Sequence, residues 1–215
     1  MQQPLFDFMA GPSRQDLAPG AVLLRGFALP AAAMLLDDVE AVLRAAPFRH
    51  MTTPGGHRMS VAMSNCGALG WITDGRGYRY ERIDPASGLP WPAMPGSLAR
   101  LAAAAANEAG YGGFVPDACL VNRYEPGARM TLHQDKNERD VSQPIVSVSL
   151  GLPVVFLFGG LQRAERAQRV PLVHGDVVVW GGPARLCFHG VLPLREGARG
   201  ATGRFRINLT FRCAR

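Results

Sequence analysis

Apolar residues recur at two different periods along this 215-residue chain, and the change of period divides it. After Pro30, the residues Met34, Leu35, Val39, Val42 and Leu43 fall at helical spacing, so Ala31 to Ala46 is predicted as a helix opened by the proline. A second, alanine-rich helix is predicted from about Gly96 to Ala109, beginning after Pro95 and ended by Gly110. Ala21 to Phe27 reads as a short strand ahead of the first helix. Between the helices, Thr53 to Trp91 is rich in Gly, Pro, Ser and aromatic residues without sustained periodicity, which predicts short strands and loops.

From Phe114 onward the period becomes two. Strands are predicted at Ala118 to Tyr124, Met130 to His133, Ile145 to Leu150, Val154 to Phe158, Leu172 to Val173, Val177 to Trp180, Leu186 to His189 and Phe205 to Arg212. Glu125-Pro126-Gly127, Gly159-Gly160, Gly175-Asp176 and Gly181-Gly182-Pro183 supply the turn residues between them. So many short strands imply a mainly β fold of jelly-roll type with flanking helices. In the last strand Arg206, Asn208, Thr210 and Arg212 alternate with Ile207, Leu209 and Phe211, giving one apolar and one doubly cationic face. In an ordinary half-buried strand such a polar face is simply solvated.

Composition narrows the class without naming a chemistry. A chain with 47% hydrophobic and 19% charged residues is expected to form one globular domain with a sizeable core. The net charge of +6 is dispersed along the chain and favours an anionic partner. Cys66, Cys119, Cys187 and Cys213 show no Cys-x-x-Cys spacing, so reduced thiols in the cytoplasm are expected rather than a redox or zinc motif. Cys187 reads as a small buried hydrophobe. Met1 to Ala10 lacks the pattern of an export signal, and no run of about 18 apolar residues marks a membrane span.

Chemistry enters at His133-Gln134-Asp135, followed at a distance by His189. Two imidazoles and one carboxylate are the facial set that holds a non-haem Fe(II) and leaves positions open for a co-substrate and dioxygen. His133 and Asp135, two apart in an extended segment, are expected to project to the same side. Residues 136–188 then leave room for strands to travel out and return before the third ligand. His-x-Asp alone is a short motif; the cationic strand gives it context. A guanidinium fork matches a carboxylate, and 2-oxoglutarate needs its distal carboxylate clamped while its keto-acid end chelates iron, a task that Arg206 fits.

In order along the chain, Asn122-Arg-Tyr-Glu-Pro-Gly127, His133-Gln-Asp-Lys136, Val146-Ser-Val-Ser-Leu-Gly151, His174-Gly-Asp-Val-Val-Val-Trp180, His189-Gly190 and Arg206-Ile-Asn-Leu-Thr-Phe-Arg212 resemble the signature of the bacterial AlkB family, iron- and 2-oxoglutarate-dependent nucleic-acid demethylases. The likeness runs from about Leu17 to Arg212. It implies one domain over 1–215, with an N-terminal extension and nucleotide-recognition lid over 17–91, a bracing helix over 95–110 and a double-stranded β-helix core over 114–212. It further implies Fe(II) on His133, Asp135 and His189, and a 2-oxoglutarate pocket formed by Asn122, Tyr124, Arg206, Asn208 and Arg212. Trp71, Tyr78, Arg79, Tyr80, Asn137 and Arg163 are implied substrate contacts, with Trp71 stacking a flipped base against His133 and Lys136 near the phosphates.

The activity so implied uses iron, dioxygen and 2-oxoglutarate to hydroxylate N-methyl groups on bases such as 1-methyladenine and 3-methylcytosine. Formaldehyde, succinate and carbon dioxide leave, and the base is restored. Single-stranded DNA is the expected substrate, with duplex DNA and RNA as further candidates, and a monomer is expected. Two positions depart from the family pattern: Asn137 stands where an acidic residue is expected, and His57 where a tyrosine is typical. An amide donates as well as accepts, so base preference is open at Asn137. The rival readings are a 2-oxoglutarate oxygenase acting on a small molecule or protein side chain, which needs no Trp71 lid, and a jelly-roll binding module without catalysis, which needs no iron ligands.

Overall fold

The computed structural model describes residues 13–215, so the reading of Met1 to Ala10 lies outside the described residues. Thirteen strands and two α-helices are built in the order β1 (Ser13–Ala18), β2 (Ala21–Arg25), α1 (Ala32–Ala45), β3 (Ala62–Gly67), β4 (Gly70–Asp74), β5 (Gly77–Glu81), α2 (Gly96–Glu108), β6 (Ala118–Tyr124), β7 (Met130–His133), β8 (Ile145–Gly151), β9 (Val154–Phe158), β10 (Gln168–Leu172), β11 (Val177–Trp180), β12 (His189–Val191) and β13 (Arg206–Arg212). Seven strands form one sheet in the order β1-β2-β11-β8-β13-β6-β3, four form a second in the order β10-β9-β12-β7, and β4-β5 is a separate hairpin. Every pairing is antiparallel, as a jelly roll requires.

Three layers follow from the alternation of side chains. Val22 and Leu24, Val177 and Val179, and Ile207, Leu209 and Phe211 point to one face of the large sheet, where α1 and α2 cover them with Leu35, Val39, Val42, Leu98, Ala102 and Ala105. Leu23, Val178 and Trp180 point to the other face and meet Phe156, Phe158 and Val191 of the small sheet. A strand covered on both sides reads as a continuous apolar run, as Val177 to Trp180 does, whereas Ile145 to Leu150 is equally buried but turns Ser147 and Ser149 toward the space between the sheets.

The polar face of β13 is therefore not solvated. Arg206 is 1% exposed and Asn208, Thr210 and Arg212 are each 6%, all turned into the space between the sheets. Hydrophobic packing of Ile207, Leu209 and Phe211 beneath the helices fixes that orientation, since a one-residue slip would reverse both faces.

Three sequence expectations shift. The edge strand β1 has too little apolar content to announce itself, being exposed over Ser13 to Asp16. β10 begins at Gln168 rather than at Leu172, and β12 covers 189–191 rather than 186–189. The first part of the chain also divides differently: β1, β2 and β3 extend the large sheet, and only β4 and β5 with their flanking loops stand apart over one end of the barrel. No helix among the described residues is long and apolar enough to cross a membrane.

Candidate active site

His133 closes β7 and His189 opens β12, directly opposite one another across that strand pair. Their rings lie 4.4 Å apart between centroids. Asp135 reaches the pair from the loop after β7, with Oδ1 3.7 Å from His133 Nε2 and Oδ2 3.7 Å from His189 Nε2. The paired strand thus ends at His133, and Asp135 follows it outside the ladder with its carboxylate on the same side as the His133 ring, as expected for residues two apart. Gln134 Nε2 donates to the Leu186 carbonyl (2.7 Å) and Arg185 to the Asp135 carbonyl (2.7 Å), and both bonds draw the chain out of the ladder.

The donor set fits a divalent iron. His133 Nδ1 lies 2.9 Å from the Thr131 carbonyl and His189 Nδ1 3.0 Å from the Cys187 carbonyl. A carbonyl only accepts, so both Nδ1 atoms carry the proton and both Nε2 lone pairs face Asp135. Among the described residues this is the one cluster of three metal-ligating side chains within 4.8 Å of one another. Burial, then the neighbouring His133, push the His189 pKa down to about 4, which keeps it neutral and ligating. Burial pushes the Asp135 carboxyl up, yet Arg212, His189 and His133 outweigh it and hold the group well below the usual carboxylate range.

Deeper between the sheets, Leu120, Asn122, Tyr124, Arg206, Asn208 and Thr210 line a pocket that ends on His133, Asp135 and His189. Register explains the convergence: Arg206 pairs with Tyr124 and Asn208 with Asn122 across β13 and β6. Arg206 donates one Nη to Ser149 Oγ at 3.0 Å and lies 4.9 Å over the Tyr124 ring. Its Nε and other Nη, and Asn122 Oδ1, are buried without partners among the described residues. The two Arg206 nitrogens are donors and the Asn122 oxygen an acceptor, and unpaired buried groups of this kind are costly unless a ligand satisfies them. A carboxylate of a dicarboxylate such as 2-oxoglutarate would supply acceptors for the two free Arg206 donors.

Arg212 shares that pocket but is committed elsewhere. Its Nε and Nη2 donate to Asp135 Oδ2 at 3.0 and 2.6 Å, so it holds the carboxylate that faces the histidines while still lining the pocket.

Above the histidines opens a cavity of about 430 Å³ lined by Trp71, Tyr78, Met59, His133, Lys136, Asn137 and Arg163 among others. Trp71 and Tyr78 stack on one another, 5.7 Å apart at 24°. The other two residues expected from the lid lie apart. Arg79 sits on the opposite face of β5 and is paired with Asp74 (2.9 Å) and Glu81 (2.8 Å), out of the cavity, because alternation along the strand turns it away from Tyr78 and Tyr80. Tyr80 passes behind the cavity and donates its hydroxyl to Glu138 at 2.5 Å. His57 caps a turn through its backbone N–H to Thr53 Oγ1 (3.2 Å), exposed and beside the lining residues Thr53 and Met59.

Two residues that the sequence reading passed over are buried here, Glu138 at 6% exposure and Arg185 at 3%. They pair at 3.0 Å, and Arg185 also holds the Asp135 carbonyl. A lone Glu and a lone Arg in polar loops carry no sequence sign of burial; only their partners reveal it.

Known proteins are consistent with this geometry. The family model of the 2OG-Fe(II) oxygenase superfamily matches residues 20–212. Over 203 residues, 94% of each chain, the protein is 59% identical to "Alpha-ketoglutarate-dependent dioxygenase AlkB" of Salmonella typhimurium. It is 33% identical over 132 residues, 60% of this chain and 34% of the relative, to "Nucleic acid dioxygenase ALKBH1" of Mus musculus. Among solved structures, "The structure of OsALKBH1" superposes with a TM-score of 0.81 at 28% identity, covering 93% of this chain and 99% of that one. The protein is an Fe(II)- and 2-oxoglutarate-dependent dioxygenase and belongs to the AlkB family within the 2OG-Fe(II) oxygenase superfamily.

Proposed function

We propose that the protein oxidatively demethylates N-alkylated bases such as 1-methyladenine and 3-methylcytosine in DNA, with RNA as a second substrate, and so reverses alkylation damage directly. The observation that carries this reading is the cavity between the Trp71–Tyr78 stack and His133, roofed by aromatic rings, floored by the metal ligands and rimmed by Lys136, Asn137 and Arg163. A flat ring laid on Trp71 would present its pairing edge to the iron site, and cationic rim residues would meet its phosphates. The names of the relatives, dioxygenase and nucleic acid dioxygenase, support the same direction.

Iron with 2-oxoglutarate and dioxygen supplies the oxidation of the N-methyl C–H bond. Everything else falls to the chain. His133, Asp135 and His189 would hold the metal, Arg206 with Tyr124 and Asn122 would seat the co-substrate, and Trp71 would orient the methyl group toward the metal. The hydroxymethyl product then collapses to formaldehyde and the restored base.

The same reading favours single-stranded nucleic acid, because a base inside a duplex must first be unstacked at a cost of a few kcal/mol. It places a monomer in the cytoplasm, where the free thiols Cys66, Cys119, Cys187 and Cys213 are kept reduced. The test is a panel of single-lesion DNA and RNA oligonucleotides, single and double stranded, compared by kcat/KM with formaldehyde as the readout. Turnover on methylated single strands is expected. Succinate formed only on small molecules or peptides would replace this reading by the rival oxygenase.

A further inference from the structure

Glu138 joins parts of the molecule that are far apart in sequence. Its Oε1 accepts the Tyr80 hydroxyl at 2.5 Å and faces Arg212 Nε at 3.4 Å, while Oε2 accepts Arg185 Nη2 at 3.0 Å. Arg212 in turn gives Nε and Nη2 to Asp135 Oδ2, and Arg185 gives Nη1 to the Asp135 carbonyl. Tyr80 belongs to the lid, Arg212 to the large sheet and Asp135 to the metal site. Glu138 touches neither the cavity above the histidines nor the pocket below it.

The chain of contacts is continuous from the lid to the metal ligand. Trp71 pairs across the hairpin with Tyr80, and Tyr78, which stacks on Trp71, shares its face of β5 with Tyr80. A ring bound at Trp71 and Tyr78 therefore fixes the strand that places the Tyr80 hydroxyl. Arg212 Nε lies between two carboxylates, 3.0 Å from Asp135 and 3.4 Å from Glu138. With Tyr80 donating to it, Glu138 Oε1 competes weakly for that nitrogen. With Tyr80 withdrawn, the same oxygen becomes the stronger acceptor and draws the guanidinium from Asp135 Oδ2.

We propose that Glu138 is a positioning residue that couples the lid to Asp135, so that a base seated under β4–β5 and a metal held at His133, Asp135 and His189 strengthen each other's binding. The base half of this inference rests on the nucleic-acid reading above; the metal half does not. Reciprocity follows from linkage: whatever the base does for the metal, the metal does for the base. The relay also commits Asp135 Oδ2 to Arg212 and leaves Oδ1, on the His133 side, as the freer oxygen for the metal.

The test uses Co(II) as the metal probe with 2-oxoglutarate under anaerobic conditions, followed by its visible absorption. In the first arm, without nucleic acid, Glu138→Gln in a cooperatively folding protein is expected to weaken Co(II) binding by about tenfold and to change the Co(II) spectrum. An unchanged affinity and spectrum would overturn the positioning role. In the second arm a methylated single-stranded oligonucleotide at saturation is expected to tighten Co(II) binding in the parent protein by about fivefold or more. Tyr80→Phe, which deletes one hydroxyl and keeps the ring, is expected to abolish that gain. Trp71→Phe, which leaves the relay intact, is expected to keep it once its weaker binding is saturated. A gain that survives Tyr80→Phe would overturn the coupling even if Glu138→Gln failed to fold. A parent protein that bound no oligonucleotide would count against the nucleic-acid reading, and the first arm would still decide the role of Glu138 at the metal.

Discussion

Arg206 lies 4.9 Å over the ring of Tyr124, 1% exposed, with its Nε and one Nη donating to no group among the described residues. Burial pulls the Arg206 pKa down while Tyr124 opposes the shift, and the guanidinium remains a cation. A buried cation with free donors, aimed along a pocket that ends at the metal ligands, has the form of a carboxylate receptor. Arg206→Ala is therefore expected to raise the KM for 2-oxoglutarate by about a hundredfold, corresponding to loss of a buried charged pair. The control is a 2-oxo acid without the distal carboxylate. Parent and variant should use it about equally, and strong discrimination retained by the variant would refute the clamp.

Metal-free protein should lose stability as pH falls from about 6.5 to about 4. Burial lowers the His189 pKa to about 4 in the folded state, against 6.5 for an unperturbed histidine. Between these values the unfolded chain binds the proton and the folded chain resists it, so stability falls with pH and is fully present above the upper value. Urea midpoints at pH 7.5, 6 and 5 measure the slope. His189→Gln should remove part of it; an identical slope in that variant would contradict the assignment.

The lid is seated by a close approach between Gly70 and Trp91. A Cβ on Gly70 would stand 2.3 Å from Trp91 Cε2, and Trp91 is fixed by its Nε1 donating to the Glu81 carbonyl at 3.0 Å and by Arg49 5.0 Å over its ring. Gly70→Ala must displace the hairpin or the tryptophan, at about 1–3 kcal/mol. A thermal unfolding scan should show a lowered Tm together with weaker oligonucleotide binding. A variant as stable as the parent would show that the hairpin moves freely.

Asn137 lines the cavity from the rim and is exposed. Its amide can donate to an exocyclic carbonyl, whereas a carboxylate can only accept from an exocyclic amino group. Asn137→Asp should shift kcat/KM toward 1-methyladenine and 3-methylcytosine relative to oxo-edged methylated bases by about tenfold, one hydrogen bond's worth. Equal ratios in both proteins would mean that Asn137 does not meet the base edge.

Much of this was legible in the chain, for reasons visible in particular residues. β7, β9 and β11 lie where the pattern places them; β9 alternates between buried and half-buried positions, and β11 is an unbroken buried run of valines and a tryptophan. His133, His189, Asn122, Tyr124 and Arg206 were legible because strand alternation sets facing without knowledge of partners. Arg79 lies out of the cavity, where alternation already sets it opposite Tyr78 and Tyr80; its pairing with Asp74 and Glu81 depends on the hairpin's turn and is not encoded in the period. Arg212 shares the buried face of β13 with Arg206, as alternation requires, but its bonds to Asp135 depend on a loop whose path no periodicity encodes. Glu138 and Arg185 were invisible because a buried ion pair is defined by two residues 47 positions apart.

The most direct test is the ratio of formaldehyde to succinate released from a single-stranded oligonucleotide carrying one 3-methylcytosine, with Fe(II), 2-oxoglutarate and dioxygen supplied. Equal amounts of the two products are expected from the parent protein and neither from Asp135→Ala. Formaldehyde released undiminished by Asp135→Ala would contradict the metal site, and succinate without formaldehyde from the parent would contradict the demethylase.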